Sequence, residues 1–146
     1  MKGAVNRYSP FANTDKKEAA MLEGGPQNLD MRQISRSLGV VLSFAQGDFL
    51  FREGDKPHCM YILLEGEVEV RRRNHVIERI GPGQALGILS LLDEEPRTVT
   101  AEAQSPCEVA AIDMRQFRFA VDEVPHFAWW VMRELAHRLR TTNAAL

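Results

Sequence analysis

Between Val40 and Ile112 the sequence breaks into short β-rich runs divided by glycine turns, and after Asp113 that rhythm stops. The runs are Val40–Phe44, Asp48–Phe51, Met60–Leu64, Gly66–Val70, His75–Ile80, Arg97–Glu102 and Glu108–Ile112. In one of them Val68 and Val70 alternate with Glu67 and Glu69, the period-two mark of a half-buried strand. Regularly spaced strands bounded by turn signals close into a sandwich or jelly-roll barrel. Beyond Asp113 the apolar spacing turns helical. Asp113 is suited to cap a helix on which Phe117, Ala120 and Val121 share a face. Pro125 sits at a favoured first-turn position for a second helix. On it Phe127, Trp130, Val131, Glu134, Leu135, Arg138 and Leu139 form an apolar stripe edged by charges. The expected fold is mostly β with flanking helices: a jelly-roll barrel, a short helix inside it, and C-terminal helices.

The remaining sequence bounds this reading. Residues 1–28 mix Asn, Thr, Lys, Glu, Gly and Pro without a sustained apolar period and end in Gly24-Gly25-Pro26. They read as a flexible arm with at most a helical turn around Asp15 to Leu22. Residues 29–146 read as one domain, opened by a short helix through Leu29, Ile34 and Leu38 that closes before Gly39. A chain of 146 residues suits a single domain, and 45% hydrophobic residues is ordinary for a globular one. The net charge of −2 gives no global attraction to nucleic acid or anionic lipid. No apolar run approaches the roughly 20 residues of a membrane helix, so a cytoplasmic, membrane-free protein is expected. Cys59 and Cys107 fit no metal spacing, and no HxH occurs. Neither a metal nor a catalytic constellation is expected.

The stretch Gly83-Gln-Ala-Leu-Gly-Ile-Leu-Ser-Leu-Leu-Asp-Glu-Glu-Pro-Arg-Thr-Val-Thr100 carries the chemistry. It reads as a glycine turn, a short helix, an acidic turn, and an arginine opening a strand. The helix start offers backbone N–H groups at Ile88, Leu89 and Ser90, and Gly87 allows close approach to the backbone. Helix N-termini attract anions, and Arg97 adds a planar cation suited to phosphate. An anion cradle is the chemical expectation.

This stretch resembles the phosphate-binding cassette of the cyclic-nucleotide-binding domain, as found in catabolite-activator-type regulators and cyclic-nucleotide-gated kinases and channels. Phe49-Leu-Phe-Arg-Glu-Gly-Asp55, Met60-Tyr-Ile-Leu-Leu-Glu-Gly-Glu-Val-Glu-Val70 and Ile80-Gly-Pro-Gly83 follow the same family's order and spacing, from about Leu38 to Arg140. The resemblance implies a ligand, cyclic AMP or cyclic GMP, rather than a cofactor. It implies that Leu86, Gly87, Ile88, Leu89 and Ser90 with Arg97 and Thr98 surround the cyclic phosphate. By position it places Thr142 and Asn143 near the base. The family carries a Glu that bonds the ribose 2′-hydroxyl where this chain has Ile88. Loss of that acceptor costs roughly 1–3 kcal/mol, about 5- to 150-fold in affinity. Either the pocket takes the nucleotide with its hydroxyl unpaired, or it has drifted to another ligand or none. On the first reading Ile88→Glu strengthens binding.

Three functions follow. One is a regulatory sensor acting through its last helix on a dimer mate or partner, with a twofold homodimer through the Pro125 helix as the family default. Since the sequence stops at Leu146 without a helix-turn-helix, direct nucleic-acid binding is not expected. The second is a degenerate scaffold. The third, a cupin-like enzyme suggested by the Leu-Glu-Gly-Glu turn, lacks its histidines: only His58 lies in the right region. Arg71-Arg72-Arg73 reads as a solvated hairpin tip rather than a nucleic-acid patch, because Glu67, Glu69 and Glu78 surround it in sequence.

Overall fold

The computed structural model describes residues 31–145, with side chains through residue 141. The arm assigned to residues 1–28, with its helical turn at Asp15 to Leu22, and Leu29 lie outside the described residues. The described chain runs α1 (Met31–Leu38), β1 (Val40–Phe44), β2 (Phe49–Phe51), β3 (Met60–Glu65), β4 (Val68–Arg72), β5 (His75–Ile80), β6 (Ala85–Leu86), α2 (Ile88–Asp93), β7 (Thr100–Ala103), β8 (Cys107–Ile112), α3 (Met114–Glu123) and α4 (Phe127–Ala145). The strands form two four-stranded antiparallel sheets, ordered β1-β8-β3-β6 and β2-β7-β4-β5. This is the expected jelly roll with flanking helices.

The glycine between α1 and β1 shows how tightly the pieces meet. A Cβ on Gly39 would lie 2.3 Å from the Ala111 carbonyl oxygen, so no larger residue fits between α1 and β8. The hairpin β4–β5 turns through Arg73 and Asn74, both left-handed (φ 51° and 71°). Arg71 pairs with Glu69 on its own strand and with Glu102 across on β7, so the arginine triplet is neutralised in part by neighbouring carboxylates.

The core divides in two along β3 and β8. Tyr61 and Leu63 face one cluster inside the barrel, with Phe51, Val68, Val70, Val109 and Ala111. Met60 and Ile62, the alternate residues of the same strand, face a second cluster with Ile88, Ile112, Phe117, Phe127, Trp130 and Val131. The helices therefore pack on the outside of the first sheet.

Four details differ from the sequence expectation. The strand assigned to Arg97–Glu102 begins at Thr100, because Arg97 bonds through its backbone to the turn after β2: its N–H donates to the Asp55 carbonyl (2.8 Å) and its carbonyl accepts from Gly54 (2.8 Å). The two-residue β6 has no counterpart in the reading, being too short to show a period. The capping box at Asp113 and Gln116 forms as expected, yet Val121 is exposed while Phe117 and Ala120 are buried. The last helix starts at Phe127 rather than at Pro125. Val124, preceding proline, is extended (φ −103°, ψ 113°). His126 is left-handed (φ 67°), and its carbonyl accepts the first helical bond from Trp130 at 2.9 Å.

Candidate functional site

Gly87 caps α2 in the left-handed conformation (φ 81°, ψ 14°), with no side-chain hydrogen bond to the helix start. Ten residues on, Arg97 folds back over it. The Arg97 Nη1 donates to the Gly87 carbonyl at 2.9 Å, and Nη2 donates to the Cys59 carbonyl at the entry to β3. The guanidinium carbon lies 4.2 Å from the centre of the Phe51 ring, which in turn stacks on Tyr61. Arg97 is only 5% exposed. Its Nε finds no hydrogen-bond partner.

A buried guanidinium needs a counter-charge. Among the described residues no carboxylate is ion-paired with Arg97; its polar bonds go to neutral carbonyls. Burial lowers its proton affinity, while nearby Cys59, Tyr61 and Asp55 act weakly in the opposite sense. Beside it is a cavity of about 270 Å³. Leu50, Phe51, Tyr61 and Arg97 line its barrel side, and the exposed Asp55, Lys56 and His58 of the β2–β3 connection line the rest. Desolvation pushes the Tyr61 phenol and the Cys59 thiol up from their ordinary values. The arrangement is a buried cation opening on a half-aromatic cavity, suited to a small anionic ligand with a flat apolar part.

The residues named from sequence divide sharply. Arg97 and Gly87 meet. Leu86 is buried in the barrel cluster. Ser90 is buried, its Oγ donating to the Pro96 carbonyl at 3.4 Å. Leu89 and Thr98 have exposed side chains. Ile88, only 1% exposed, packs in the second cluster against the helices and does not line the cavity. The ribose assignment of Ile88 rests on the resemblance alone; in this structure its side chain is core. Thr142 and Asn143 lie on α4, their side chains outside the described ones. Sequence reasoning missed Phe51, Tyr61 and the Asp55–His58 connection. The motif Phe49–Asp55 was visible, but which of its residues turn inward depends on the strand pairing. Among the described residues no cluster of metal-ligating side chains occurs, and no helix is long and apolar enough to cross a membrane.

The profile of the cyclic nucleotide-binding domain matches residues 41–123. The chain belongs to that family. It is 30% identical over 107 residues to a CRP-like cAMP-activated global transcriptional regulator of Mycobacterium tuberculosis, covering 70% of this chain and 48% of the relative. The chain thus spans about half the length of that curated relative. The N-terminal domain of a transcriptional regulator from Streptomyces coelicolor is 30% identical, with a TM-score of 0.58 over 93% of this chain and 91% of that one. The Thermus thermophilus catabolite activator protein superposes with a TM-score of 0.70 at 24% identity, over 92% of this chain and 60% of that one. The last comparison speaks to the fold: a jelly roll with a cassette helix and C-terminal helices.

Proposed function

We propose that this chain is a regulatory sensor module that binds a cyclic mononucleotide, cyclic AMP or cyclic GMP, with the ligand's phosphate against Arg97. The observation that carries the reading is a guanidinium, 5% exposed, with one unpartnered nitrogen beside a cavity and no paired carboxylate. A phosphate supplies the missing counter-charge, and Phe51 and Tyr61 give an apolar surface to the rest of the ligand. The names of the relatives support the ligand class. The module carries out no catalysis on this reading. Its output runs through α4, whose Trp129, Met132 and Leu139 are exposed, to a second copy or another protein.

The test is a calorimetric titration of the protein with cyclic AMP and cyclic GMP, repeated on Arg97→Met. Saturable binding lost in the variant supports the proposal. Binding that survives the substitution removes Arg97 from the site. A second reading, an interaction scaffold without ligand, is favoured by one fact: both Nη groups of Arg97 are already held by carbonyls. Absence of binding to the unmodified protein at millimolar nucleotide selects it.

A further inference from the structure

The strand that leads into the cassette is the two-residue β6, at the edge of its sheet. On one side it pairs with β3, Ala85 opposite Ile62 and Leu86 opposite Tyr61. An edge strand leaves backbone donors and acceptors on its other side, and Ala85 is fully buried, so water does not satisfy them. Both are taken by side chains of α4. The Ala85 N–H donates to Glu134 Oε1 at 3.0 Å, and the Ala85 carbonyl accepts from Arg138 Nη2 at 2.6 Å. Glu134 and Arg138 are one helical turn apart, on the same face of α4, their own charges 4.0 Å apart. Arg138 Nε also lies 2.8 Å from Glu78 Oε1 on β5, an ion pair without hydrogen-bond alignment that links the helix to the second sheet. An acceptor and a donor on one helix face thus read both backbone groups of one residue, as a neighbouring strand does.

We propose that Glu134 and Arg138 are positioning residues for the cassette: they replace the missing strand at the edge of β6, so that the geometry of Gly87 and α2 depends on where α4 sits. Ala85 is two residues from Gly87, and Leu86, Gly87 and Ile88 follow it without a loop. A shift of α4 pulls on β6 through two hydrogen bonds. A shift of the cassette is felt by α4 through the same bonds. This link is separate from the apolar packing of the second cluster, to which Ile88, Phe127 and Trp130 all belong. It stands whether or not the cavity binds a nucleotide.

The experiment is amide hydrogen exchange on the ligand-free protein. Glu134→Leu removes the acceptor, Glu134→Gln keeps an oxygen for the Ala85 N–H, and Leu135→Ala loosens α4 by packing alone. The expected result in Glu134→Leu is exchange about tenfold faster at Ala85 and at the hydrogen-bonded amides of Leu91 and Leu92, the loss of one net hydrogen bond. Glu134→Gln keeps most of the protection, and Leu135→Ala does not open residues 85–92 selectively. Unchanged exchange in Glu134→Leu overturns the proposal, as does the same pattern in Leu135→Ala. Should Glu134→Leu not fold, Arg138→Met against Arg138→Lys asks the same question of the carbonyl: the methionine variant opens residues 85–92 and the lysine variant retains part of the protection. Equal exchange in those two overturns it. Titration of Glu134→Leu with cyclic AMP then separates this inference from the ligand assignment, since exchange reports on the clamp even where no nucleotide binds.

Discussion

Arg97 and Ile88 come from the same cassette and meet opposite fates: the cation turns towards the cavity and the aliphatic chain turns towards the helices. Ile88→Glu is therefore expected to cost about 3–5 kcal/mol, because a lone carboxylate enters an apolar cluster. Chemical denaturation measures it, and a variant as stable as the parent that also binds nucleotide more tightly would restore the ribose reading. Tyr61 gives a pH test. Its phenol is raised in the folded protein, chiefly by burial, so the unfolded chain ionises first as pH rises. The neutral form is common to both states below the ordinary phenol value, and the folded state falls behind above about pH 10. The urea midpoint should drop there, and Tyr61→Phe should drop less; identical curves would show that the phenol is not what titrates. Arg97 was legible in sequence as a cation behind an acidic turn. Its seat on Phe51 was not, because that contact joins segments far apart in the chain.

At the scale of elements, the cassette depends on a glycine that nothing else can replace. A Cβ on Gly87 would lie 2.7 Å from Arg97 Nη1, at a left-handed φ of 81°. Gly87→Ala should therefore cost about 2 kcal/mol from backbone handedness alone, and should displace the arginine as well. A melting temperature equal to that of the parent would mean that Arg97 is free to move aside. Most strands and all helices beyond residue 31 could be read from period and capping. What escaped were features decided by tertiary contact. β6 is defined by its partners, β7 begins late because Arg97 is bonded to the turn after β2, and α4 begins late because Val124 and His126 reverse the chain around Pro125. Val121 shares a helical face with Phe117 and Ala120 by spacing, yet its side chain is left exposed.

At the scale of the molecule, adjacent tryptophans divide as the helical spacing required: Trp130 is 6% exposed and Trp129 is 52% exposed. With Met132 and Leu139 also exposed, α4 presents an apolar face outward, and a twofold dimer along it is the expected assembly. Light scattering at micromolar concentration should give twice 16.5 kDa, and Trp129→Glu should return the single-chain mass. A parent protein already at 16.5 kDa would assign that face to a different partner.

One strand has the last consequence. β3 presents Tyr61 and Leu63 to the barrel interior and Met60 and Ile62 to the helices, and β8 does the same with Val109 and Ile112. The two hydrophobic clusters share these strands as a party wall, so neither can melt while the other stands. Heating should therefore give a single calorimetric peak whose van't Hoff and calorimetric enthalpies agree, and a slip of β3 by one residue would exchange the linings of both rooms at once.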